Sequence, residues 1–117
     1  MHRALLTLTL TFVLACRAGA RDGAPCSAVA TRQRALAAAA LGSATVAPET
    51  RALVERSLPA LQSMLTRACT EGAWSPAIRD CMVQAPDHAA FQACEQQLTD
   101  DQRRALDLAA RGETGPP

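Results

Sequence analysis

Along most of the chain the apolar residues recur every three or four positions. Nowhere do they alternate with polar residues under the β-branched enrichment that marks a strand. The clearest stripe is Val54, Leu58, Leu61, Leu65 and Ala68, which lie on one face of a helix predicted over Pro48–Thr70. Its start is signalled by Pro48 in the first turn and by Glu49 against the positive end of the helix dipole. Pro59 interrupts the stripe. It lacks an N–H and is expected to kink or split the helix, with Ser57 as a candidate cap for the second piece. Because the stripe covers barely two heptads, packing within its own domain is expected rather than a coiled coil with a partner.

Upstream, Cys26 to Leu41 reads as an alanine-rich helix. Val29, Leu36, Ala37, Ala40 and Leu41 share one side, Arg32 and Arg34 lie elsewhere, and Gly42 stands ready as a C-cap. Downstream, Ser75-Pro76 is a cap followed by proline at the first helical position, leading into Ile78, Cys81 and Met82. Ala85-Pro86-Asp87 breaks the chain and offers a new cap, after which Phe91, Cys94 and Leu98 return at helical spacing. Thr99-Asp100-Asp101-Gln102 is a capping box, and Leu106, Ala109 and Ala110 are expected to face inward from the helix that follows it. The pattern predicts an all-α fold, a small bundle of four or five short helices over residues 26–111, with a frayed tail at 112–117.

The N-terminus is of another kind. Met1-His2-Arg3 and the apolar run Ala4–Ala15, too short to span a bilayer, have the layout of a secretory signal. Two exits compete. Ala18-Gly19-Ala20 satisfies the small-x-small rule and would leave Arg21 first, making residues 1–20 the leader. Val13-Leu14-Ala15-Cys16 resembles the bacterial lipobox, whose cysteine is acylated before cleavage; residues 1–15 would then be the leader and 16–25 a tether. The second reading is preferred because the apolar run ends at Ala15 and the lipid is added first. Two or more acyl chains anchor stably where one binds only marginally, at about 0.8 kcal/mol per buried methylene. The expectation is an exported cell-envelope protein lipid-anchored to a membrane through Cys16; the alternative is a soluble periplasmic or secreted one.

Composition adds a constraint. After the leader Trp74 and Phe91 are the only aromatics, and alanine and leucine supply most of the apolar residues. Such a core buries little area per residue, so a domain of about a hundred residues needs staples. Cys26, Cys69, Cys81 and Cys94 form an even set in an oxidising setting, which predicts two disulfides. Four cysteines allow three pairings. Antiparallel packing would bring the start of the first helix to the end of the second, ranking Cys26 with Cys69 first and leaving Cys81 with Cys94. A zinc site is the competing use, but no CxxC occurs and His88 alone is a poor start, so no metal or other cofactor is expected. The net charge is +1, lysine is missing, and the arginines are scattered among acids. That distribution gives no footprint for nucleic acid.

Motifs that carry catalysis are also missing: the sequence has no nucleophile elbow, phosphate-cradling glycine loop, HExxH or CxxCH. Asp100 and Asp101 are neighbours on a helix and point to different sides, which suits the helix dipole better than acid–base work. With both disulfides formed no reactive thiol is left outside the leader. The chain is therefore read as a non-enzyme.

Two resemblances bear on role. Cys69-Thr-Glu-Gly-Ala-Trp74-Ser-Pro-Ala-Ile-Arg79-Asp-Cys81, followed by Cys94-Glu-Gln-Gln-Leu98, resembles a pattern in small exported cysteine-bearing helical proteins, some of them lipoproteins, of myxobacteria and similar GC-rich bacteria. That likeness covers about half the chain and implies location and fold, with no activity to carry over. Leu98-Thr99-Asp100-Asp101-Gln102 is similar to the motif of the periplasmic LTxxQ proteins, helical envelope-stress chaperones and metal-stress sensors. That family carries two such motifs on a longer hairpin, and this chain has one. The expected role is a structural or partner-binding envelope protein, its protein partner unspecified; the alternative is an LTxxQ-like stress chaperone or metal-stress sensor.

Overall fold

A computed structural model describes residues 22–113; residues 1–21, with Cys16 and both expected cleavage points, and residues 114–117 lie outside the described residues. The fold is all-α. Helices α1 (Cys26–Ser43) and α2 (Pro48–Glu71) form a long antiparallel hairpin. Two short helices, α3 (Pro76–Gln84) and α4 (His88–Glu95), pack together and against α1, and α5 (Asp100–Ala110) lies along α2.

Local chemistry places each helix start. Ser75 accepts from the Ile78 N–H, Asp87 from the Ala90 N–H, and Thr99 and Gln102 form the full reciprocal capping box. Gln102 does more than cap: its Nε2 donates to the Gly72 carbonyl at 2.8 Å, tying the start of α5 to the end of α2.

Two of the expected interruptions do not occur. Pro59 sits inside an unbroken α2, because both Pro59 and Glu55, the residue whose carbonyl loses its donor, are exposed, and water can satisfy that oxygen. Ser57 caps nothing; its hydroxyl donates back to the Val54 carbonyl. Gly42 likewise lies within α1, which runs one residue further to Ser43. The carbonyls at that end are satisfied from outside the helix, Arg51 donating to Leu41 O at 2.6 Å and to Ala44 O at 3.3 Å, so no left-handed glycine is required.

The core gathers where the hairpin meets α3 and α4. Val29, Cys69, Met82 and Phe91 are fully buried, with Leu65, Trp74, Ile78, Cys94 and Leu98 around them. Both disulfides lie in or beside this core. Cys26 bonds Cys69 and Cys81 bonds Cys94, with Cα atoms 5.7 and 5.8 Å apart, an ordinary separation for a cystine. The ranking drawn from antiparallel packing holds, since α1 begins where α2 ends.

The turn after α2 is shaped by Trp74. A side chain at Gly72 would place its Cβ 2.8 Å from the Ala68 carbonyl and 3.0 Å from Trp74 Nε1, so any other residue here forces the turn or the indole to shift. The left-handed residue then falls one step later, on Ala73 at φ 49°.

Residues before α1 are strapped to α3. Ala24 N–H donates to Asp80 Oδ1 at 2.7 Å, and the Arg79 guanidinium donates to the carbonyls of Ala24, Asp22 and Trp74. Gly23 permits the strap: its φ is +69°, and a Cβ there would meet Pro76 Cβ at 2.8 Å.

Candidate functional site

The α2 stripe is not buried evenly. Leu58 and Leu65 are covered by their neighbours, whereas Leu61 between them remains 43% exposed and Leu53, two turns earlier, 62% exposed. Helix α5 explains the gap. It is short and buries none of its own residues fully; Leu106 packs against the core's edge, facing inward as expected, while Ala110, also expected to face inward, is exposed. Between α1, α2 and α5 there remains an open groove of about 280 Å³.

Its walls come in two chemistries. Leu58, Leu61, Leu65 and Leu106 supply the apolar part, and Ala30 and Ala37 on α1 are small enough to leave it open. Glu95 from the end of α4 and Asp107 from α5 add carboxylates, with Gln33 and Arg34 on the α1 side. Arg34 is already used in part, its Nη1 donating to Gln62 Oε1 at 2.9 Å, while Gln62 Nε2 reaches Thr31 Oγ1 at 3.3 Å.

The two carboxylates of the groove make no ion pair. Among the described residues the ion pairs are Arg103–Asp100, Arg104–Asp101 and Arg111–Glu113, and none involves Glu95 or Asp107. Burial pushes the Glu95 carboxyl above the ordinary carboxylate range; His88 pulls it down and the like charge of Asp107 pushes it further up. Gln33 Oε1 is buried and has no hydrogen-bond partner. The groove is thus an apolar trough that carries one buried oxygen without a partner, Gln33 Oε1, and two carboxylates without an ion pair, the half-buried Glu95 and the exposed Asp107.

The residues singled out from sequence are placed plainly. Cys26, Cys69, Cys81 and Cys94 are all in disulfides, and Cys16 lies outside the described residues. His88 is exposed at the start of α4, and Asp100 and Asp101 each pair with an arginine three residues on. Among the described residues no group of three or more His, Cys, Asp or Glu side chains is placed to hold a metal ion, and no helix is long and apolar enough to cross a membrane. Trp74 belongs to the core at 3% exposure.

Sequence reasoning passed over Glu95, Asp107, Gln33 and Leu61 as site residues. Glu95 follows a buried cysteine, and Leu61 keeps perfect register with its stripe. Neither position advertises the groove that α5 leaves beside it. Comparison with protein-family models, with curated proteins and with solved structures gave no match.

Proposed function

We propose that this chain is a small exported envelope protein, anchored by lipid at Cys16, whose helical domain binds a protein partner and performs no catalysis. The observation that carries the partner-binding part is the uncovered Leu61 in a groove whose carboxylates make no ion pair. A domain so poor in bulky residues leaves apolar area exposed only at some expense to its own stability, and a rimmed apolar patch marks a contact surface. The two disulfides accord with an oxidising compartment. Lipidation rests on the lipobox-like Val13-Leu14-Ala15-Cys16, and the likeness to small exported cysteine-bearing proteins supports the same location.

The intact mass of protein extracted from membranes tests the anchor. A chain beginning at Cys16 with acyl groups supports it, and a soluble chain beginning at Arg21 defeats it. Partner binding is tested by photo-crosslinking in cells from a series of surface positions. A discrete adduct from any of them supports the reading, and no adduct from all of them removes it.

The stress-chaperone alternative is favoured by the exposure of Leu53 and Leu61 alone. Its motif has a local use here, because Thr99 and Gln102 cap α5 and hold it to Gly72. Suppression of aggregation of an unfolded client at stoichiometric amounts would decide for it.

A further inference from the structure

We propose that the groove between α1, α2 and α5 takes one amphipathic helical segment of a partner protein, bearing an arginine or lysine that sits between Glu95 and Asp107. The inference rests on the partner-binding reading above and names what that partner presents.

Size speaks for a docked segment. At about 280 Å³ the groove lies at the lower edge of the roughly 300–1,000 Å³ that enclose a small-molecule ligand, and it is partly open to solvent rather than closed over. Its leucines span Leu58 to Leu65 on α2, about 10 Å or two helical turns at 1.5 Å per residue, with Leu61 exposed between two that are buried. A helix laid in such a trough uses side chains at i, i+3, i+4 and i+7, and Ala37, the accessible alanine of the α1 wall, offers little bulk to hold its backbone off.

Charge decides the polar part. The groove offers two carboxylates and the buried Gln33 Oε1, all acceptors, and no ion pair among the described residues satisfies the carboxylates. An anionic or neutral partner would leave them desolvated and unpaired, which is costly. A cation supplies donors and charge together, and arginine can offer its fork to two acceptors at once. Of the cations already near, Arg34 donates to Gln62, and His88 is exposed on the first turn of α4.

The test uses the oxidised, processed chain and synthetic leucine-alanine helical peptides about three turns long that carry a single Arg, Gln or Glu at the same position. The Arg peptide is expected to bind at least about tenfold more tightly than the Gln peptide, the difference made by one charge-assisted hydrogen bond. The Glu peptide should be weakest, and salt should erode the preference. Glu95→Gln with Asp107→Asn should abolish the Arg preference, Leu61→Ser should weaken every peptide, and Glu71→Gln, an exposed acid outside the groove, should change nothing. Far-UV circular dichroism and a thiol count show that each variant is folded and oxidised.

Equal binding of the Arg and Gln peptides overturns the proposal. So does decylammonium binding as tightly as the Arg peptide, which would make the groove a site for small cationic amphiphiles. A cellular adduct mapping to another surface, with no peptide bound in the groove, defeats this inference and leaves the partner-binding reading standing.

Discussion

Replacing Cys26 and Cys69 together by alanine opens the larger of the two covalent loops, and its cost follows from the chain it closes. The sequence separation is 43 residues. In the chain-entropy account a loop of that size removes about 13 cal/mol/K from the unfolded ensemble, or about 4 kcal/mol at room temperature. The same arithmetic for Cys81–Cys94, with a separation of 13, comes to about 3 kcal/mol. A domain of this size has about 5–13 kcal/mol in all, so either loss is a large share. At about 4–8 °C per kcal/mol, the Cys26/Cys69 variant should melt about 16–32 °C below the parent. Thermal melts by circular dichroism, with the remaining disulfide verified by thiol count, measure this directly. A fall under about 5 °C would refute the view that sulfur links make up for a core short of bulky side chains. So would a larger loss from Cys81/Cys94 than from Cys26/Cys69, because the loop sizes dictate the opposite order.

Further outcomes follow from single positions. Gly72→Ala drives a Cβ against the Ala68 carbonyl and the Trp74 indole, so it should cost about 1–3 kcal/mol and alter tryptophan fluorescence and near-ultraviolet dichroism; an unchanged spectrum at equal stability would contradict the packing described. Ala73→Gly relieves a left-handed alanine and should stabilise by about 0.5–1 kcal/mol in denaturant titration. Glu95→Gln should raise the melting temperature at neutral pH. The folded-state pKa of Glu95 lies above its unfolded value, so its contribution is intact below the ordinary carboxylate range and is lost as pH rises through the raised value. The gap between variant and parent should therefore close on acidification. Asp107 across the groove opposes ionisation of Glu95, His88 on α4 favours it, and Arg34 on α1 is the remaining charge lining the groove; a gap that widens toward acid would reverse the sign and sink the argument.

Much of this architecture is legible in the sequence. Ser75, Asp87 and Thr99 announce helix starts through side-chain oxygens that act on amides three residues away, a strictly local interaction. The disulfide pairing was legible for a different reason: an antiparallel hairpin of comparable helices leaves only one end where Cys26 and Cys69 can meet. Pro59 misled because its penalty depends on whether water reaches the Glu55 carbonyl, and that depends on which way α2 faces. Gly42 misled because Arg51, from the next helix, does the capping. The groove was invisible for the same class of reason. Leu61 has the same spacing as Leu58 and Leu65, and only the length and docking of α5 distinguish them. The strap of Asp22 to Pro25 onto α3 likewise depends on Arg79 and Asp80, more than fifty residues away along the chain.

The position of the Cys26–Cys69 bond has a mechanical meaning. Force applied through the residues before Asp22 first loads the hydrogen bonds that Arg79 and Asp80 make to the strap, then reaches Cys26. There it crosses sulfur to Cys69 and continues toward α3, so the intervening α1–α2 hairpin is short-circuited and bears no tension. Under a pull between the two ends of the chain, the strap would yield first, and the segment between Cys69 and Cys81 and then α5 would stretch next, the residues from Cys81 to Cys94 being bypassed in the same way by their own bond. The long hairpin, with the α1 and α2 walls of the groove, would keep its shape until the bond itself was broken.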